Sequence, residues 1–256
     1  MTNMWLQEKS CEDLEKYLQF DNRIMMPMGS TEQHGCFAPL GTDTYVAISL
    51  AEDAGKKAGV LTAPPLWFGW SPHHLVRPGT ISIRAEVLIE VLYDAVNSLA
   101  GHGFKKFVVI NGHRIVNIPW MQIAAERAQR ELKVTVVIFD PAHMSKEIVK
   151  KLGFGPIGHA EEIEISHMLY RYPALVRIEQ AKDNPHETRS LYHIDPHDPR
   201  DTLCYVPSTR EDLQAVYQKT GDTVGGNPTR SSVEKGKAYH DHLVARLIEV
   251  LDQLKP

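Results

Sequence analysis

The chain reads as an α/β protein: a three-layer α/β/α sandwich on a mostly parallel central sheet. Short, wholly apolar runs alternate with helix-period segments through the first 140 residues. Unbroken apolarity along a run suits a strand covered on both faces, as in a parallel sheet. Such alternation implies right-handed crossovers, and ligands in such sheets collect beyond the carboxyl ends of the strands.

Strands are expected at Ile24-Met25-Met26-Pro27, Val60-Leu61-Thr62-Ala63, Phe107-Val108-Val109-Ile110 and Val134-Thr135-Val136-Val137-Ile138-Phe139. Between them, Thr44 to Lys57, Ala85 to Gly101 and Asn117 to Leu132 carry helical periodicity. In the middle helix Val87, Leu88, Val91, Leu92, Ala95 and Leu99 are expected to form one apolar stripe. A last helix runs from about Ser232 to Leu254, with Tyr239, Leu243, Leu247, Val250 and Leu254 inward. Asp183 to Arg200, rich in Pro, His and Asp, reads as a long loop of the kind that is functional or mobile. A length of 256 residues allows one large core, so a single domain over 1–256 is expected.

Composition narrows the function. Hydrophobic content of 43% and charged content of 23% are ordinary for a soluble globular protein. A formal charge of -4 argues against nucleic acid, which calls for a basic face. No apolar stretch approaches the ~20 residues of a membrane span. The opening Met1-Thr2-Asn3-Met4-Trp5 lacks the basic-then-apolar profile of a signal peptide, and a cytoplasmic location is expected. Cys11, Cys36 and Cys204 are scattered and odd in number, which fits reduced thiols. Cys36, next to the Glu32/His34 turn, is expected to be a small buried hydrophobe, with a ligand or redox role the alternative.

The chemistry concentrates in Gly29-Ser30-Thr31-Glu32-Gln33-His34-Gly35 and the following Leu40-Gly41-Thr42-Asp43. A carboxylate, an imidazole and a second carboxylate in one turn after an apolar run are the usual ligands of a hydrolytic divalent metal, and Asp43 is placed to bridge two ions. Glu32 and His34, two apart, point to one side of an extended segment. Asp43 alone would also serve as the cap of the helix beginning near Thr44. Asn111-Gly112-His113 follows the strand ending at Ile110, so His113 opens on the same rim as Glu32 and His34. Gly158-His159-Ala160-Glu161-Glu162-Ile163-Glu164-Ile165-Ser166 opens another helix. An acidic first turn complements the helix dipole and accounts for Glu161 and in part Glu162. His159 and Glu164 suit a proton shuttle and a last ligand respectively. His167 reads as structural. Trp67-Phe68-Gly69-Trp70-Ser71-Pro72-His73-His74 forms either a substrate wall, with Trp70, Ser71 and His74 foremost, or a loop anchored in the core.

These motifs together resemble the creatininase family of metal-dependent amidohydrolases. The resemblance adds Pro78-Gly79-Thr80, Gly225-Gly226-Asn227-Pro228 and Glu234-Lys235-Gly236 in the same order, over most of the chain. It implies an α/β/α fold, one or two divalent ions (zinc, manganese or iron), a homo-oligomer of six chains, and hydrolysis of a small cyclic amide, formamide or related ring. It puts Glu32, His34, Asp43 and His113 on ligand positions, Glu164 (with Glu162 the alternative) on the late ligand position, His159 on the acid/base position, and Ser71 near substrate. One departure stands out: creatininase carries a carboxylate two residues after the histidine matched by His113, where this chain reads His113-Arg114-Ile115. That weakens the second metal and disfavours creatinine. Arg114 instead offers a donor fork to a substrate oxygen.

The expectation is a metallohydrolase opening a small carbonyl-bearing ring or cleaving a small amide, with Glu32 essential and His159 delivering a proton. Hydrolytic opening of an oxidised cyclic polyol (an inosose-type diketone), a metal-dependent keto-polyol isomerase and a catalytically silent scaffold are the alternatives.

Overall fold

The computed structural model describes residues 4–185 and 206–256. The chain order is α1 (Cys11–Leu18), β1 (Arg23–Met28), α2 (Thr42–Ala58), β2 (Leu61–Thr62), α3 (Ala85–Gly101), β3 (Lys106–Asn111) and α4 (Ile118–Leu132). It continues with β4 (Thr135–Phe139), α5 (Pro141–Met144), α6 (Lys146–Leu152), α7 (Glu162–Arg171), α8 (Arg210–Thr220) and α9 (Val233–Gln253). The strands bond in the order β2-β1-β3-β4, with every pairing parallel.

The strands are apolar throughout because successive side chains enter two different cores. Met25, Val108, Ile110 and Phe139 pack with residues of α2, α7 and α9. Ile24, Met26, Met28, Phe107, Val109 and Val136 pack with residues of α3 and α4. The three-layer α/β/α reading is thus the observed one. Two element details differ from expectation. In α3 the row Leu88–Leu92–Val96 is buried, while Val87 and Val91 are 37% and 41% exposed. A single i, i+4 row suffices to cover the sheet, and the neighbouring row turns outward. In α9, Tyr239, Leu243, Val244, Leu247 and Leu251 are buried, whereas Val250 and Leu254 are only partly so. Most of the expected Asp183–Arg200 loop, residues 186–200, lies outside the described residues, as does Cys204.

Parallel pairing of β1 with β3, in the register Met28↔Asn111, delivers their following turns side by side. The turn after β3 is held by Asp140 at the end of β4: its Oδ2 accepts from Asn111 Nδ2 and from the Ile115 amide, both at 2.8 Å. Glycine is required where backbones meet. A Cβ on Gly112 would lie 1.9 Å from the Asp43 carbonyl oxygen, so the start of α2 can touch this turn only across a glycine. At the α7–α9 crossing, a Cβ on Gly236 would lie 1.8 Å from the Ser166 carbonyl oxygen. Gly236→Ala therefore forces the two helices apart. Its expected cost is about 1–3 kcal/mol, the range for overpacking a dense core, read as a lowered urea midpoint; an unchanged midpoint would contradict the crossing described.

Candidate metal centre

Glu32 and His34 sit in the turn beyond β1, where the Glu32 amide donates to the Leu40 carbonyl at 2.8 Å. Asp43 lies in the first turn of α2, but Gly41 is the cap, with no side-chain capping bond, so the Asp43 carboxylate is not spent on the helix end. It turns instead to two imidazoles: Asp43 Oδ2 is 3.0 Å from His113 Nδ1, and Asp43 Oδ1 is 3.4 Å from His34 Nε2. Glu32 Oε2 is 3.3 Å from His113 Nε2, and Glu32 Oε1 is 3.4 Å from His74 Nε2 and 3.6 Å from His159 Nδ1. Glu164 Oε2 stands 3.7 Å from His34 Nε2. Residues from four distant stretches of sequence therefore converge on one small volume.

The donor set fits a divalent cation. His34 Nδ1 lies 3.1 Å from the Glu32 carbonyl, which only accepts, so Nδ1 carries the hydrogen. In the neutral ring, Nε2 then holds a lone pair directed at two carboxylate oxygens. Among the buried side-chain atoms without a hydrogen-bond partner are both oxygens of Glu32, His34 Nε2 and Asp43 Oδ2. Carboxylate oxygens and imidazole nitrogens crowded together in a dry interior without well-formed hydrogen bonds call for a shared proton or a cation. Bonds of about 2.0–2.2 Å to one ion would put neighbouring ligand atoms about 3.0–3.6 Å apart, close to the spacings found. Among the described residues, three groupings bring one donor atom from each residue within 4.8 Å of one another: Glu32–Asp43–His113, His34–His159–Glu164 and Glu32–His74–His159.

The same crowding sets the protonation of these side chains. Burial disfavours a charged His34, but Asp43, Glu164 and Glu32 outweigh it and push the imidazole up to about 10. His113 is raised to about 9 by Glu32 and Asp43 against the same burial. Burial raises Glu32 to about 7, despite the pull of His113. Asp43 is held below the usual carboxylate range, since His113 and His34 overcome its burial. Burial, reinforced by neighbouring imidazoles, keeps His74 and His159 neutral.

The remaining predicted residues divide. Ser71 is buried beside the centre, its Oγ 2.6 Å from Ser30 Oγ and 3.3 Å from His113 Nε2. His74 faces Glu32 rather than open space. Trp70 packs against the core shared with α3 and α4, so its anchoring role is the one observed. The Arg114 guanidinium is buried, with Nη2 2.5 Å from Glu161 Oε1 and 2.6 Å from Glu164 Oε1, partners the sequence reading did not foresee. Two carboxylates occupy one side of the fork, while Arg114 Nη1 is among the buried atoms without a hydrogen-bond partner. Glu161 caps α7, accepting from the Ile163 and Glu164 amides. Glu162 points away, to Lys235 Nζ at 2.5 Å, which leaves Glu164 as the carboxylate at the site. His167 bonds His240 Nδ1 at 2.8 Å in the core, away from the centre. Cys36 is exposed rather than buried, because the turn carries it to the surface. Sequence reasoning passed over Gln33 and His73. Gln33 Nε2 lies 2.9 Å from His74 Nδ1, and the His73 ring stacks parallel to His113 at 6.3 Å. Gln33 was visible only as the residue between two ligand candidates, and strand alternation sends it the wrong way.

Comparison with known proteins extends the geometry. A family model described as creatininase, creatinine amidohydrolase, matches residues 7–251. The chain is 30% identical over 190 residues to the 3-dehydro-scyllo-inosose hydrolase of Thermotoga maritima, covering 71% of this chain and 60% of that protein. It therefore spans less than two thirds of that relative's length. It is 27% identical over 221 residues to the creatinine amidohydrolase of Pseudomonas putida, covering 78% of this chain and 83% of that one. The solved structure named Creatininase Mn superposes with a TM-score of 0.81 at 24% identity, covering 100% of both chains, which establishes the likeness of fold. With the family pattern running through nearly all of its length, this chain belongs to the creatininase family.

Proposed function

We propose that the chain is a divalent-metal hydrolase that opens a small, polar, carbonyl-bearing ring. Glu32, Asp43 and His113 would hold the primary ion, with His34 and Glu164 forming an adjoining donor set that shares Asp43. The supporting observation is the cluster of buried ligand-type atoms that make no well-formed hydrogen bond, Glu32 Oε1 and Oε2, His34 Nε2 and Asp43 Oδ2. A divalent cation supplies Lewis acidity toward water and a substrate carbonyl. His159, neutral and 3.6 Å from Glu32 through Nδ1, accepts the proton of the attacking water. The water oxygen adds to the carbonyl carbon and the ring bond breaks. A carboxyl group forms, and His159 returns the proton to the departing nitrogen. Ser71 supplies a hydroxyl beside His113 for orienting substrate.

The similarity to an inosose hydrolase favours a second form of this reading. There the broken bond is C–C in an oxidised cyclic polyol, and His159 protonates carbon. The His113-Arg114-Ile115 sequence, without the carboxylate that creatininase carries there, points the same way.

A panel of cyclic ureides, formamides and inosose-type ketones in oxygen-18 water tests the proposal. One member is expected to turn over with label in the product carboxylate; turnover without label would leave an isomerase. Glu32→Gln is expected to bind zinc at least about 10–100-fold more weakly, the loss typical even for outer partners of a metal site. Full metal content with full turnover in that variant would contradict the assignment.

The pH dependence has a definite sign. His34 and His113 rise from an ordinary 6.5 to about 10 and about 9, so the stability they contribute is present below pH 6.5 and lost as pH climbs through those values. Glu32, raised from 4.5 to about 7, acts in the same direction as it ionises. Asp43 is shifted down and is already ionised across this window. Chelator-stripped protein should therefore lose thermal stability between pH 6.5 and 10, while metal uptake, which displaces these protons, strengthens. The gap between loaded and stripped midpoints is expected to widen with pH in thermal melts. A gap that narrows would refute the ligand assignment.

A further inference from the structure

We propose that Gln33 is a positioning residue that fixes which ring nitrogens of His74 and His159 carry hydrogen, keeping His74 off the metal as a donor and leaving His159 Nδ1 as the free lone pair. The inference rests on the metal reading above. Gln33 is only 2% exposed. Its Oε1 accepts from the Gly35 amide at 3.2 Å, which assigns the other amide atom as the NH2 group. That NH2 lies 2.9 Å from His74 Nδ1. An amide NH2 only donates, so Nδ1 of His74 accepts and the neutral ring carries its hydrogen on Nε2. This N–H faces Glu32 Oε1 at 3.4 Å. A ring nitrogen bearing hydrogen has no lone pair for a cation, so His74 drops out of the Glu32–His74–His159 grouping.

His159 is fixed by the same residue from its main chain. Its Nε2 lies 2.6 Å from the Gln33 carbonyl oxygen, which only accepts, so Nε2 carries the hydrogen and Nδ1 is bare. The 3.0 Å approach of Gln33 Nε2 to His159 Nε2 is then a contact between two donors, not a bond. The two rings stack with centroids 4.0 Å apart and planes at 29°, an arrangement two imidazolium cations would resist. One buried amide and its own carbonyl thus give adjoining imidazoles different work. His74 steadies the Glu32 carboxylate, and His159 presents a base.

The test is long-range proton–nitrogen spectroscopy of histidine rings in the zinc-loaded 256-residue protein at pH 8. In the wild type, His74 and His159 should each show a bare Nδ1 and a protonated Nε2. Gln33→Glu, whose carboxylate only accepts, should move the His74 hydrogen to Nδ1. Gln33→Met, similar in volume but without a donor, should lose that preference and bind zinc about 10–100-fold more weakly in chelator competition. A purely structural Gln33 would lower the melting temperature of both variants and leave the His74 signals in place. The proposal is overturned by a wild-type His74 with hydrogen on Nδ1 or zinc on Nε2. It is equally overturned if both variants keep wild-type His74 signals and zinc affinity. A wild-type protein that takes up no zinc sinks the metal reading instead, and its His74 tautomer still decides the role of Gln33.

Discussion

Two carboxylates cannot be buried side by side without a compensating positive charge, and the architecture is arranged around that constraint. Glu32 and Asp43 are each 1% exposed and converge on His113 from opposite sides. Protons on His34 and His113 can answer that charge, and the carboxylates around them push both imidazoles up. Bringing these groups together depends on the sheet. Parallel β1 and β3, in register through Met28 and Asn111, put the two ligand-bearing turns next to each other. Gly112 then lets the start of α2 close the third side.

The opposite wall is held under strain. Ile115 and Ala160 adopt positive φ, 66° and 53°, where residues with a Cβ are disfavoured and a β-branched one is a true outlier. Each such residue costs about 1–3 kcal/mol and persists only where the surroundings over-determine it. Here they do. The Ile115 amide is tied to Asp140 Oδ2, and the Ala160 amide to Glu164 Oε2 at 2.9 Å. The gain is direction: one distorted residue lies two places after His113, and the other directly follows His159.

Much of the fold was legible because strand and helix signals rarely conflict here. All four apolar runs became strands, and the Ala85–Gly101 helix has the predicted limits. The first half of the site was legible for a related reason: Glu32, His34 and His113 all follow strand ends, where an α/β sheet gathers ligands. What escaped was set by long-range packing or by turn geometry. Arg114 could be read as a free fork because its partners stand 47 and 50 residues away in sequence. Gln33 was hidden by the assumption of an extended segment, whereas a turn directs residues 32, 33 and 34 all toward one centre. The outward Val87 and Val91 of α3 reflect a choice between adjacent apolar rows that periodicity alone does not make.

Arg114 also bears on how the chain manages without a carboxylate two residues after His113, where the resemblance to creatininase leads one to expect it. Ile115 occupies that place and brings no charge. Glu164 approaches His34 from α7 instead, one oxygen bound by the Ala160 amide and the other by Arg114. Glu161 shares the same guanidinium and is pushed up to about 7 by burial, so two carboxyl groups and one cation leave at most a single net negative charge facing His34. A lone carboxylate on the missing position would present the same charge. Arg114 thereby lets two acidic side chains be buried at the head of α7, one capping the helix and the other turned toward the proposed metal centre, without doubling the negative charge the site must neutralise.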